Sequence, residues 1–257
     1  MLIKQFNSGT AEVFVFSDRK EMGKKASSDA VSVIKKLLEE KEKINIMFAA
    51  APSQNEMLEG LVAAEGIDWS RVNAFHMDEY IGIPSDNPAG FALFLKNAIF
   101  GKLNFKSVNY INSLAEDPLK EAERYAELLK ANKLDVCILG VGETGHIAFN
   151  DPDVADFNDP VLVKPVKMDE QSRIQQVHDG CFEKLEDVPN TALTVTVPGM
   201  VCADYLFCSV PASNKAEAVK RMFTEEISEK CPATILRRTE NSKIYLDADS
   251  AKLLLDL

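Results

Sequence analysis

Residues Leu134–Pro152 read LDVCILGVGETGHIAFNDP, and the way this stretch is parsed decides the fold. Leu134–Leu139 is an apolar run of strand length, and Gly140, Gly142 and Gly145 follow it at the spacing GxGxxG. A dinucleotide-binding fingerprint has that spacing but must open an amphipathic helix, whereas here the chain runs through His146 into Asn150, Asp151 and Pro152. The segment therefore reads as a strand and a glycine-loosened turn that presents one histidine between two acids, Glu143 and Asp151. Nicotinamide and flavin chemistry are not expected from it.

Working outward, the same alternation recurs. Val13–Phe16 reads as a strand, and Ser17 and Asp18 then start a helix whose apolar positions include Met22, Ala26, Val33, Ile34, Leu37 and Leu38. Ile44–Phe48 and Val72–Phe75 read as strands, Phe91–Phe100 as a helical segment, Val108–Ile111 as a strand and Pro118–Ala131 as a helix. The second half is less regular: Ala192–Val197, Leu206–Val210 and Lys243–Leu246 read as strands and Asn214–Phe223 as a helix. Strands alternating with helices predict an α/β fold with a mostly parallel sheet covered by helices on both faces. No linker, repeat or low-complexity segment divides the chain, so a single domain over 1–257 is expected.

Composition narrows the functional classes. With 29 Lys+Arg against 40 Asp+Glu the formal net charge is −11, which argues against nucleic acid or an anionic membrane as partner. The five cysteines are scattered, with no CxxC pair, as in a reduced cytoplasmic chain. No signal-peptide core or membrane-length apolar run is present. No HxH or HExxH pair suggests a metal.

In a parallel sheet the ligand site lies at the carboxyl ends of the strands, so three loops carry the candidates. Ala49–Asn55 offers small residues and the donors Ser53, Gln54 and Asn55 ahead of a helix, an arrangement suited to an anion; a plain turn with an N-cap fits the same residues. In Phe75–Tyr80, the adjacent Asp78 and Glu79 at a strand end are candidates for a general base, because burial and a like-charged neighbour both raise a carboxyl pKa; a solvated acidic turn is the alternative. In the third loop His146, one of three histidines, is placed to move protons. Lys215 precedes a helix, where a cation opposes the helix dipole, which favours an anionic partner; a solvated surface cation fits the same residue, and composition singles out neither it nor Arg173.

Taken together, Met77-Asp78-Glu79-Tyr80-Ile81-Gly82-Ile83-Pro84 and Gly140 through Pro152 resemble the "MDEY-(V/I)-G-(L/I)-P" and "G-x-G-x-D-G-H-I-A-F-N-E-P" segments of the glucosamine-6-phosphate deaminase/isomerase family, related to the 6-phosphogluconolactonases. The resemblance runs in order from about Ile44 to Arg238. It implies a modified Rossmann-like α/β fold and aldose–ketose isomerisation of glucosamine 6-phosphate or galactosamine 6-phosphate, with release of ammonia and no cofactor. On the matching positions Asp78 is the base that moves a proton between C2 and C1, His146 opens the sugar ring, and Asp151 orients His146. Arg173 and Lys215 bind phosphate, and Ser53, Gln54, Asn55, Glu79 and Gly142 fall in the sugar-phosphate site.

Three departures fall on that apparatus. The family's acid before Gly-His is Thr144 here, with Glu143 beside it as the expected substitute; its Glu is the shorter Asp151; and its phosphate loop is Pro52-Ser53-Gln54-Asn55-Glu56, where Glu56 brings an acid near the expected phosphate. Asp153–Asp159 also lacks the Ser- and Arg-rich stretch that serves effector binding in some bacterial deaminases. The implied partner is a small-molecule sugar phosphate, with assembly into a homo-oligomer left open. Two other functions compete: a 6-phosphogluconolactonase-type hydrolase and a non-enzymatic sugar-phosphate sensor.

Overall fold

A computed structural model describes residues 1–255. Its main sheet has eight strands: β1 (Leu2–Ser8), β2 (Ala11–Phe16), β3 (Ile44–Phe48), β4 (Val72–His76), β6 (Ser107–Asn109), β7 (Val136–Leu139), β10 (Tyr205–Val210) and β11 (Ser242–Asp247). They lie in the order β1-β2-β11-β10-β7-β3-β4-β6, every neighbouring pair parallel except β1 with β2. From β3 the chain moves outward to β4 and β6, then returns across β3 to β7 and continues the other way to β10 and β11. Ligands in open α/β sheets bind at such a reversal, here between β3 and β7.

The central strands are buried on both faces, which is why they read as unbroken apolar runs. Alternate side chains serve two separate cores. Ile44, Ile46 and Phe48 of β3 with Val136 and Ile138 of β7 pack on one face, against Met22, Ala26, Ala30 and Ile34 of α1 (Arg19–Glu40) and Leu58 and Leu61 of α2 (Asn55–Val62). Met47, Cys137 and Leu139 point the other way, toward Tyr125, Ala126 and Leu129 of α4 (Pro118–Ala131) and Val219 and Met222 of α7 (Ala216–Thr224). Asp18 caps α1 by accepting from Glu21 N, and Asp117 caps α4 ahead of Pro118 by accepting from Leu119 N and Lys120 N.

A second sheet, β5-β9-β8, is antiparallel and built from β5 (Asp78–Tyr80), β9 (Thr191–Val195) and β8 (Val163–Lys167). The chain leaves the main sheet at His76 and enters the second at Asp78. The bond from Val195 N to Met77 O, 2.7 Å, pins that junction. Around the second sheet lie α3 (Phe91–Leu95), α5 (Glu170–His178) and α6 (Val197–Val201), while α8 (Ala248–Leu255) follows β11.

The expected strands and the helix Pro118–Ala131 are present. Phe91–Phe100 divides into α3 and a π-helical turn, Lys96–Phe100, and the helix expected from Asn214 starts at Ala216 after a 3-10 turn, Ser213–Lys215. Among the described residues no helix is long and apolar enough to cross a membrane.

Candidate active site

At the β3/β7 reversal a cleft of about 670 Å3, counting space open to solvent, is lined by Ala49–Ser53, Met77, Asp78, Gly140–Gly142, His146, Ala148, Gln175, Gln176, Asp179 and Lys215, among others. Three of its walls come from the loops singled out in the sequence, and a fourth is α5.

Asp78 is 8% exposed, and no side-chain hydrogen bond or ion pair engages its carboxylate among the described residues. Burial, with the Glu79 charge adding to it, pushes the carboxyl well above the ordinary value of 3.8. Glu79 is equally buried, but its oxygens accept from Tyr80 N (3.0 Å), Phe91 N (3.1 Å) and Ala92 N (2.8 Å), so it closes the start of α3 and does not face the cleft. Its assignment to the sugar site is corrected on that ground. Nor do the two acids form a solvated turn: both are covered.

His146 is buried against the cleft wall, with Nδ1 2.8 Å from each of Asp151 Oδ1, Thr144 Oγ1 and Ser172 Oγ. Its ring lies directly over Gly142: a Cβ there would sit 1.9 Å from His146 Nε2, so this position has no room for a side chain. Gly145, at φ +85°, makes the sharp turn just before the histidine. Burial raises the Asp151 carboxyl, but the His146 ring and hydrogen bonds from His146, Ser172 and Thr144 outweigh it, and the net direction is downward. Asp151 stays ionised, and an ionised acceptor 2.8 Å from Nδ1 requires the hydrogen to be on Nδ1. Nε2 then holds the lone pair, and among the described residues no protein group bonds it.

Glu143 does not substitute for the missing acid. Its Oε1 accepts from Asn214 Nδ2 at 2.8 Å and its Oε2 lies 3.5 Å from His178 Nδ1, both away from His146. The hydroxyl of Thr144 itself occupies the place beside the ring.

Lys215 is 5% exposed and lines the cleft, and its ammonium has no hydrogen bond or ion pair among the described residues. Burial pulls its ammonium pKa down, and the charges of Asp179 and Glu143 oppose that. The strained Ala212 (φ +81°), whose N–H donates to Asp247, sets the turn that aims Lys215 inward. Ser53 joins it on the wall, while Gln54 lies behind, its amide bonded to Ser53 Oγ and Ser209 O.

Two further assignments are corrected. Asn55 is exposed and is not among the residues that line the cleft. Arg173 directs Nη2 to Leu185 O (2.7 Å) and Val188 O (2.9 Å), bracing the chain after α5 instead of lining the cleft. The acid expected to disturb the phosphate loop is neutralised: Arg19 grips both oxygens of Glu56, at 2.6 and 2.9 Å, and bonds Pro52 O, fixing the loop from behind.

Sequence reasoning missed Ser172, Gln175, Gln176 and Asp179, all on α5. The N-cap Asp169 was the available signal, since it places Ser172 in the first turn of a helix and Gln175, Gln176 and Asp179 on the same side. His76 is a structural histidine: burial lowers it to about 4, and its Nε2 accepts from Ile111 N.

The sequence and the fold that carry this cleft have counterparts in known proteins. The family described as "Glucosamine-6-phosphate isomerases/6-phosphogluconolactonase" matches residues 17–245. Glucosamine-6-phosphate deaminase of Bacillus cereus (strain B4264) is 37% identical over 187 residues, covering 73% of this chain and 70% of the relative. The Bacillus thuringiensis (strain Al Hakam) enzyme of the same name matches to the same extent. Among solved structures, a monomeric glucosamine-6-phosphate deaminase superposes with TM-score 0.85 at 24% identity, covering 94% of this chain and 99% of its own. The 6-phosphogluconolactonase of Thermotoga maritima superposes with TM-score 0.75 at 19% identity, covering 92% and 99%. The chain belongs to the glucosamine-6-phosphate isomerase/6-phosphogluconolactonase family.

Proposed function

We propose that this chain is an enzyme that converts an amino sugar 6-phosphate, of gluco or galacto configuration, and water to a ketose 6-phosphate and ammonia. One observation carries the reading: Asp78, buried and without a partner, shares a cleft with the free Nε2 of His146. Moving a proton between adjacent carbons takes one carboxylate that reaches both, and burial raises its proton affinity toward the range where it can both take and return a proton. His146 Nε2 accepts the anomeric hydroxyl proton and delivers it to the ring oxygen, opening the sugar. Asp78 then takes the C2 proton and returns it to C1, and water replaces nitrogen at C2 as ammonia leaves.

Lys215 and the Ser53 hydroxyl supply the phosphate contacts. The net charge of −11 repels the substrate at long range, so capture depends on these local donors. Remote binding of the phosphate positions the reacting carbons. The same reading makes residues 1–257 one functional domain and places it in the cytoplasm, in keeping with five free cysteines.

The test is incubation with glucosamine 6-phosphate, galactosamine 6-phosphate and 6-phosphogluconolactone, reading ammonia, ketose phosphate and ring-opened acid separately. Ammonia with ketose phosphate from an amino sugar is the expected result. Acid from the lactone, with no ammonia, would sink the reading.

A further inference from the structure

Around His146 a single carboxylate does the work that the family pattern gives to two acids, and two hydroxyls complete the set. Nδ1 is 2.8 Å from Asp151 Oδ1, from Thr144 Oγ1 and from Ser172 Oγ. The hydroxyls also converge on the carboxylate: Ser172 Oγ is 2.5 Å and Thr144 Oγ1 3.1 Å from Asp151 Oδ1. There are three hydrogens to place, one on the ring and one on each hydroxyl, and Asp151 contributes none. Every short contact is satisfied only if both hydroxyls donate to Oδ1 while Nδ1–H points into the three oxygens. Reversing either hydroxyl toward Nδ1 would need an unprotonated ring nitrogen facing the ionised Oδ1.

We propose that Thr144 and Ser172 are positioning residues, a two-hydroxyl clamp on Asp151 that keeps the ring hydrogen of His146 on Nδ1 and replaces the missing acid. The proposal rests on the reading of the cleft given above. The clamp does two things a second carboxylate could not. It donates two hydrogen bonds to Oδ1 instead of placing a second charge beside the ring. It also ties the histidine to α5, because Ser172 is fully buried in the first turn of the helix whose Gln175, Gln176 and Asp179 line the cleft. The proton-transfer atom is thereby set by the same helix that contacts the sugar.

The test uses the full chain and two readouts. Nitrogen-15 NMR of the imidazoles gives the His146 tautomer without substrate; only three histidines are present, and His146→Asn assigns the signal. kcat and KM are measured alongside. The wild type shows the Nδ1–H tautomer. In Thr144→Ala/Ser172→Ala the tautomers mix and kcat falls about 10- to 100-fold with KM nearly unchanged. Thr144→Ser retains the hydroxyl and keeps wild-type behaviour. A folded double-alanine variant with an unchanged tautomer and unchanged kcat overturns the clamp, as does Thr144→Ser behaving like Thr144→Ala. Tautomer mixing in a protein that turns over no amino sugar phosphate would support the clamp and defeat the proposed function instead.

Discussion

The two ends of the parallel strands treat buried charge in opposite ways. At the amino ends, Asp135 is buried but accepts from Lys41 Nζ and Asn45 N, and Lys133 and Lys41 both reach Asp204. At the carboxyl ends, Asp78 and Lys215 are as deeply buried and have no partner among the described residues. The contrast narrows to adjacent residues at Asp78 and Glu79: one carboxylate accepts three backbone N–H groups, its neighbour none. A buried charge without a partner costs stability, and Asp78 and Lys215 both place that cost in the cleft. The paired acids build the scaffold and the unpaired groups face the ligand.

Substitutions at these positions can break that contrast. The largest effect is expected at Asp78→Asn, where kcat falls by about 10³-fold while the folded state becomes more stable at neutral pH, seen as a higher Tm. The sign follows from the direction of the shift: the carboxyl is raised in the folded state, so the stability of its protonated form is full below 3.8 and lost as pH rises through the folded pKa. The gain in Tm should accordingly vanish in acid and grow with pH. Equal Tm for mutant and wild type across that range would show that Asp78 is not held at a cost.

Lys215→Met should raise KM at least about 30-fold, the loss of roughly 2 kcal/mol from a charge-assisted contact, with the Tm unchanged or higher. Alanine at Arg173 tests the revised assignment: if this residue braces carbonyls, Tm falls and KM stays close to wild type. Glu79→Gln, the counterpart of Asp78→Asn, should cost about 1–3 kcal/mol in denaturant unfolding, because an amide cannot accept the three N–H groups as well. The smallest effect is expected far from the cleft, at Asp117→Ala, where loss of the α4 cap costs about 1 kcal/mol with normal kinetics.

What the sequence revealed follows from how each element is buried. β3 and β7 are covered on both faces, so their apolar runs are continuous, and α4 carries a cap, a proline at its first turn and an apolar stripe through Ala122, Tyr125, Ala126 and Leu129. β1 is an exposed edge strand whose polar LIKQFNS sequence shows no core face. β5 has only three residues and exists because β9 pairs with it, so its acids read as a turn. At the site, Asp78, His146, Asp151, Gly142 and Lys215 stood out through motif and chemistry. The preference for Glu143 over Thr144 fails because neighbours in sequence point opposite ways out of a glycine turn, a direction that residue types do not carry.

Helix α5 was invisible for a further reason: its inward residues are Ser172, Gln175 and Gln176, not aliphatics. Most helices of this size dock by an oily stripe, and altering that stripe leaves a void. Here the docking face is made of hydrogen-bonding groups that belong to the cleft as much as to the packing. Exchanges at Gln175 and Gln176 therefore change the wall of the cleft itself, with little of the apolar packing disturbed.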